Sequence, residues 1–222
     1  GIFLSKQRTF RSAQNLGSVQ ESARTAFELM ARDLREAAGN PCVNNAPVGN
    51  VLAGASGGDW FVNFFDWGAT MQGYGGTDVM SNKAFGTAQG ERVAGTDAIQ
   101  IISGGEDVAT INAHDTAGAV FTVTGSHDFA KGDLMIACNA RQASIFQASA
   151  ATGTTVSHGV GGGVSPGNCT AGLSLQQAGV CNAAAKAFQY EAPKSVLTKL
   201  HAVRWYIGNN GNGNSLYQSH LS

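Results

Sequence analysis

Apolar residues along the first forty positions recur at a helical period. Leu16, Val19, Ala23, Ala26, Phe27, Met30, Leu34, Ala37 and Ala38 fall on one stripe at about 100° per residue, which predicts an amphipathic helix with a buried face. Opposite the stripe, Arg24, Glu28, Arg32 and Glu36 alternate in sign at i,i+4 spacing, with Glu21 and Arg35 beside them, as on a solvated face. Gly39-Asn40-Pro41 ends the pattern, because glycine accepts the left-handed cap and proline cannot continue the helical hydrogen bonds. Phe10 and Leu29 lie well off the stripe, so the helix is expected to have two sets of partners, its own globular body and something else. Gly1-Ile2-Phe3-Leu4 is apolar all round and lacks a capping residue. It reads as the last turn of a hydrophobic helix that begins before Gly1.

After residue 43 the period changes from 3.6 to 2. Trp60-Phe61-Val62-Asn63-Phe64-Phe65 is a short apolar run, and Ala98–Ile102 and Ala119–Thr124 are β-branched segments bounded by Gly, Asp and Thr. Leu134–Cys138 and Ala143–Gln147 read as two strands around the turn Asn139-Ala140-Arg141-Gln142. Ala202–Ile207 and Ser215–Gln218 flank an Asn/Gly-rich loop and read as a hairpin. Thr152 to Gly172 is low-complexity Gly/Ser/Thr/Val and is expected to form an exposed loop. The expected fold class is α+β: residues 1–40 as a long helix packed on antiparallel β-sheets, and residues 41–222 as a β-rich globular head.

Composition narrows the setting. The chain has 222 residues, enough for one ordinary core, and only 13% of them are charged against about 25% in typical soluble domains. A net charge of -1 and the absence of a basic run with interleaved aromatics argue against a nucleic-acid partner. No apolar stretch approaches the roughly 18 residues of a membrane span. Cys42, Cys138, Cys169 and Cys181 form an even set without metal-ligand spacing, which favours two disulfides in an oxidising compartment over a zinc site. Three connectivities are open. The preferred one staples the Gly-rich loop with Cys169–Cys181 and ties the helix end to a strand with Cys42–Cys138.

Catalytic signatures are missing: there is no G-x-S-x-G, H-E-x-x-H, P-loop or Rossmann fingerprint, and no cofactor or metal is expected. His114, His127, His158, His201 and His220 are scattered and read as solvated surface residues. Glu106-Asp107 and His114-Asp115 flank a strand and offer only a weak calcium possibility. Asn168-Cys169-Thr170 fits a glycosylation sequon and reads as coincidence. Trp60, Phe61, Phe64, Phe65, Trp67 and Tyr74 serve either as core or as an anchoring patch, with those after Asp66 the better surface candidates.

The order of these features resembles a known family. The helix from Phe3-Leu4-Ser5-Lys6-Gln7-Arg8-Thr9-Phe10-Arg11 through Gln20–Arg35 to Ala37-Ala38-Gly39, ahead of Cys42, is similar to that of PilW minor pilins of bacterial type IV pili. Met71-Gln72-Gly73-Tyr74, Gly95-Thr96-Asp97, Gly132-Asp133, Ile145-Phe146-Gln147, Tyr206 and Ser215-Leu216-Tyr217 follow the order of landmarks in that family. The resemblance implies a pilin-like fold and a non-enzymatic subunit. Such a subunit is anchored in the Gram-negative inner membrane by a hydrophobic helix preceding Gly1, with its head in the periplasm. It would then join other minor pilins in a tip complex that primes pilus assembly above the major pilin. The family's cleavage site and N-terminal glutamate are not in this sequence, and family chains run on past the Ser-Leu-Tyr strand. Phe3, Phe10 and Leu29 are the expected partner-interface residues. Two alternatives stay open: a J-type pseudopilin of type II secretion, and a tip adhesin whose loops, Ala151 to Cys181 above all, bind surface ligands.

Overall fold

The structure is a computed structural model, and it describes all residues except 1, 38, 40, 43–45, 55–69, 177–179, 181, 183, 185 and 221–222. The chain divides into two compact units, Gly1–Glu36 and Ala37–Ser222. The first is one helix, α1 (Ile2–Glu36), 35 residues long. At 1.5 Å per residue it extends about 52 Å. On the face that the sequence reads as solvated, Arg24–Glu28 and Arg32–Glu36 form ion pairs, each at 3.0 Å.

The second unit is built on β1 (Val48–Asn50), β2 (Met71–Tyr74), β3 (Ala98–Asp115), β4 (Val120–Val123), β5 (Leu134–Cys138), β6 (Ala143–Gln147), β7 (Ala150–Thr152), β8 (Thr155–Ser157), β9 (Val196–Asn209) and β10 (Asn214–His220). All ten join one sheet in the order β1-β6-β5-β9-β3-β4-β8-β7, with β10 added to β9 and β2 to β3. Every pairing is antiparallel except β1 with β6, which makes the sheet mixed.

Two long strands carry the rest. β3 and β9 pair from Ala98↔Tyr206 to Thr110↔Val196, with a register shift between Gly104 and Val108. Extra residues in one strand bend it and increase its twist. Here the two glycines, Gly104 and Gly105, supply the shift, and the Thr198 hydroxyl lies 2.9 and 2.8 Å from the Gly105 and Asp107 carbonyl oxygens that the ladder leaves over. β3 pairs with β9 again from Val108 to Thr110 and with β4 from Ile111 onward, so that Ile111, Phe121, Val123 and Val156 join Met135, Phe146 and Leu197 in one apolar cluster. The sheet thereby folds over part of its own face. A second cluster, with Leu52, Ile102, Ile136, Ile145 and Leu200, uses the alternate residues of β5 and β6. All ten residues of β5 and β6 are therefore buried, on both faces. Strands covered on both sides read as continuous apolar runs, which is why Leu134–Cys138 shows no alternation. Gly49 in β1 is required by a close approach, since a Cβ there would collide with the Ser174 carbonyl oxygen.

Several expectations need correction. The fold is sheet-dominated, not pilin-like with a long helix packed on small antiparallel sheets: the described core clusters draw only on residues after Glu36, and the sheet closes its own hydrophobic surface. Phe27, placed by the periodicity on the buried stripe, is 72% exposed. The stretch 152–172 is not a simple exposed loop, because it contains β8 and the buried residues Val156, His158, Asn168 and Thr170. Tyr74 packs against the cluster of Met80, Ala98 and Tyr206, and its hydroxyl lies 3.3 Å from Gln100 Oε1, so it belongs to a satellite core and not to a surface patch. The strand predicted at Ala98–Ile102 is the start of one 18 residues long. Trp60, Phe61, Phe64, Phe65 and Trp67 lie outside the described residues.

Cys42 is bonded to Cys138 with Cα atoms 6.1 Å apart, across a sequence separation of 96. The predicted Cys169–Cys181 bridge involves Cys181, outside the described residues. Cross-linking so long a loop removes much of the unfolded chain's freedom, so replacing Cys42 and Cys138 with serine should cost about 2–5 kcal/mol, read as a lower urea midpoint. The correction at Phe27 has its own consequence. Phe27→Ala should move stability by less than about 0.5 kcal/mol, whereas Phe121→Ala, in the strand cluster, should cost about 3–5 kcal/mol by equilibrium unfolding.

Candidate functional site

The most unusual surface belongs to α1. Ile2, Phe3, Leu4, Phe10, Leu16, Val19, Phe27 and Leu29 are all exposed on this one element. Of the predicted interface residues, Phe3 is 74%, Phe10 64% and Leu29 46% exposed. They are not neighbours. At 100° per residue Phe3 and Phe10 share a side, while Leu29 lies about 100° from Phe10 round the axis, and Val19 about 180°. The apolar positions therefore surround much of the helix, with the Arg24–Glu28 and Arg32–Glu36 pairs between them. A surface of this kind suits contact with more than one apolar neighbour. It has no groups arranged for chemistry.

The histidines depart from expectation. His114, near the end of β3, and His158, just after β8, are buried, not solvated, and their Nε2 atoms lie 3.1 Å apart. The backbone N–H of Tyr190 donates to His114 Nδ1 at 3.0 Å, so the proton of the neutral ring sits on Nε2 and is donated to His158 Nε2. Phe121 stacks on His114 with centroids 4.3 Å apart, and Phe146 and Tyr190 complete the surround. Burial pushes His114 down from 6.5 to about 4, partly opposed by Asp115. Burial, and then the neighbouring His114, push His158 down to about 3. The 3.1 Å spacing would suit two imidazoles on one metal ion, but the chemistry does not. A ring whose Nδ1 accepts a backbone N–H carries its proton on the very Nε2 that would have to bind. The pair is a neutral hydrogen-bonded dyad that locks the strap at Tyr190 to the sheet.

Asp115 and Asn168 are occupied by structure, while Glu106 and Asp107 are exposed. Asp115 accepts the backbone N–H groups of Ala117 and Gly118 at 3.0 and 2.9 Å, capping a turn. Among the described residues no three His, Cys, Asp or Glu side chains converge as metal ligands. The sequon residue Asn168 is buried and accepts from Gln147 N at 2.7 Å while donating to the Gln147, His158 and Gly159 carbonyls.

Sequence reasoning missed two buried arginines. The Arg92 guanidinium donates to the carbonyls of Asp78, Gly75 and Thr96 at 2.6–2.8 Å, and lies over the Phe85 ring. It thereby gathers the turns between β2 and β3. Arg204, in β9, donates through Nε and Nη2 to Gln100 Oε1 at 3.1 and 3.0 Å, directly across the ladder. Burial lowers it to about 10, still charged at neutral pH. An arginine inside the apolar run Ala202-Val203-Arg204-Trp205-Tyr206 was the available signal.

No family model, no curated protein sequence and no solved structure matches the chain. The geometry has to carry the functional reading.

The histidine dyad makes a pH prediction. Unfolded histidines take up protons near 6.5, whereas the folded pair resists until about 4 and 3. Its contribution is complete above about pH 6.5 and is lost as pH falls toward the folded values, at up to about 1.4 kcal/mol per pH unit for each ring. Urea midpoints should drop between pH 7 and pH 5. A His114→Gln, His158→Gln protein should start lower at pH 7 and change less over that interval.

Proposed function

We propose that the protein is a minor pilin, a non-enzymatic subunit that joins other minor pilins in the complex that primes and tips a type IV pilus. The observation that carries this reading is the long helix with exposed apolar side chains on several sides. An isolated soluble domain gains nothing by holding Phe3, Phe10, Leu16, Val19 and Phe27 in water. In a bundle of subunits each side meets another helix, and side-chain packing replaces hydration. The sheet-dominated head departs from the arrangement expected of the family, so the reading rests on the helix and on the residues whose order resembles PilW chains.

Other features agree with it. A disulfide between Cys42 and Cys138 suits a head that folds in the oxidising periplasm. Among the described residues no helix is long and apolar enough to cross a membrane. Anchoring in the inner membrane before assembly would fall to a hydrophobic segment preceding Gly1. Contact with the major pilin below and with other minor pilins alongside would use the same helix.

The test is a double substitution. Phe10→Ser with Leu29→Ser should leave the circular dichroism and unfolding midpoint of the head unchanged, because both side chains are exposed. It should nevertheless reduce co-purification with partner minor pilins and lower surface piliation. Unchanged pili and unchanged partners in a strain carrying this protein would overturn the proposal.

A further inference from the structure

Between the turn after β5, the segment around Leu175 and the strap leading to Tyr190 lies a cleft of about 440 Å³, within the size range of small-ligand sites. Three charged side chains line it: Arg141, Lys186 and Glu191. None of them makes an ion pair among the described residues. The Arg141 guanidinium is held over the Phe188 ring, 5.3 Å from its centroid. Stacking of this kind fixes the guanidinium plane and leaves N–H groups at its edge for an acceptor.

The frame behind these groups is rigid. Asn139 Oδ1 accepts the Arg141 and Gln142 backbone N–H groups at 2.8 and 3.2 Å, which sets the turn that presents Arg141. Gln142, buried beneath, donates to the Leu173 carbonyl at 2.9 Å. Phe188 is pinned by its N–H to the Gly172 carbonyl at 2.8 Å and by its edge contact with Tyr190. Gln189 is tied to the His114 carbonyl at 3.0 Å. The stacked arginine therefore sits on a platform continuous with the buried core. Exposed Leu175 adds an apolar wall.

We propose that this cleft binds a small organic carboxylate, with Arg141 as the bidentate anchor and Lys186 as the second cation. A planar carboxylate matches the two parallel N–H donors of a guanidinium. Two cations and one carboxylate leave the lining with a single positive charge, which suits a monoanion. Glu191 opposes more highly charged ions such as phosphate. The Phe188 and Leu175 surfaces take the carbon skeleton beside the carboxylate. This goes beyond the assembly role of the helix and rests on residues remote from it in sequence, so either can fail without the other.

The carboxylate has two sources that the structure fits equally, an acidic sugar or the C-terminus of a peptide, and separate probes distinguish them. The full chain, isotopically labelled, would be titrated by NMR with sodium glucuronate, with acetyl-dialanine and with inorganic phosphate. Saturable shifts at Arg141, Lys186, Phe188 and Gln189 are expected for at least one carboxylate, with a Kd of about 1 mM or tighter. The tighter of the two names the source. Arg141→Gln should weaken that binding at least about tenfold, and the exposed Lys186→Gln, which leaves the platform intact, by several-fold. Glu191→Gln should admit phosphate. Absence of saturable shifts with both carboxylates, equal binding by Arg141→Gln, or phosphate binding as tight as carboxylate in the unaltered protein would each overturn the site.

Discussion

The antiparallel ladder between β3 and β9 is the constraint on which the rest of the second unit depends. It runs from Ala98↔Tyr206 to Thr110↔Val196 and joins segments about 86 to 108 residues apart in sequence. Each other strand attaches to this pair directly or through a neighbour that does. β3 carries two irregularities, one between Gly104 and Val108 against β9 and one between Ile111 and Ala113 against β4, and shifts of this kind bend a strand and increase its twist. One face of β5 and β6 is covered by residues of β4 and β8, and the other by Leu52, Ile102 and Leu200.

Polar groups inside this core are spent on fixing loops. Arg92 and Arg204 carry buried charge, and carbonyl and amide oxygens accept from their guanidinium groups. Removing a charge from water costs several kcal/mol unless its donors are met, so such a group tolerates few arrangements of the chain around it. Arg92 thus specifies the turns between β2 and β3, Asn168 the segment after β8, and the dyad the strap at Tyr190. The same strap carries Phe188, so the rigidity of the proposed cleft derives from the neutral histidines beneath it. The two proposals accordingly use different parts of the chain, the exposed apolar side chains of the helix and the cleft beside Arg141.

The local elements were largely legible in the sequence. Periodicity located α1, and the i,i+4 alternation of Arg24, Glu28, Arg32 and Glu36 marked its charged face, because both depend only on residues within one or two turns. The β5–β6 pair and the Asn/Gly-rich turn between β9 and β10 were legible for the same reason: glycine and asparagine favour the turn, and the flanking runs are apolar. Phe10 and Leu29 were legible as lying off the helix's apolar stripe, and with Phe3 they are exposed.

Tertiary structure decided what those elements pack against. Periodicity said that a stripe through Phe27 was apolar but not what would cover it, and the sheet closes its core with its own strands. His114 and His158 read as solvated because each stands alone in sequence; they become a buried pair only when the fold brings together chain positions 44 residues apart. The Gly/Ser/Thr-rich stretch 152–172 looked like a loop because composition reports flexibility of the free chain, whereas the Asn168 and Gln147 hydrogen bonds that order it are long-range. Arg141 over Phe188 is likewise a contact across 47 positions. Local spacing determined the elements of this protein, and long-range hydrogen bonding and burial determined which of their polar residues are enclosed and which are left to bind.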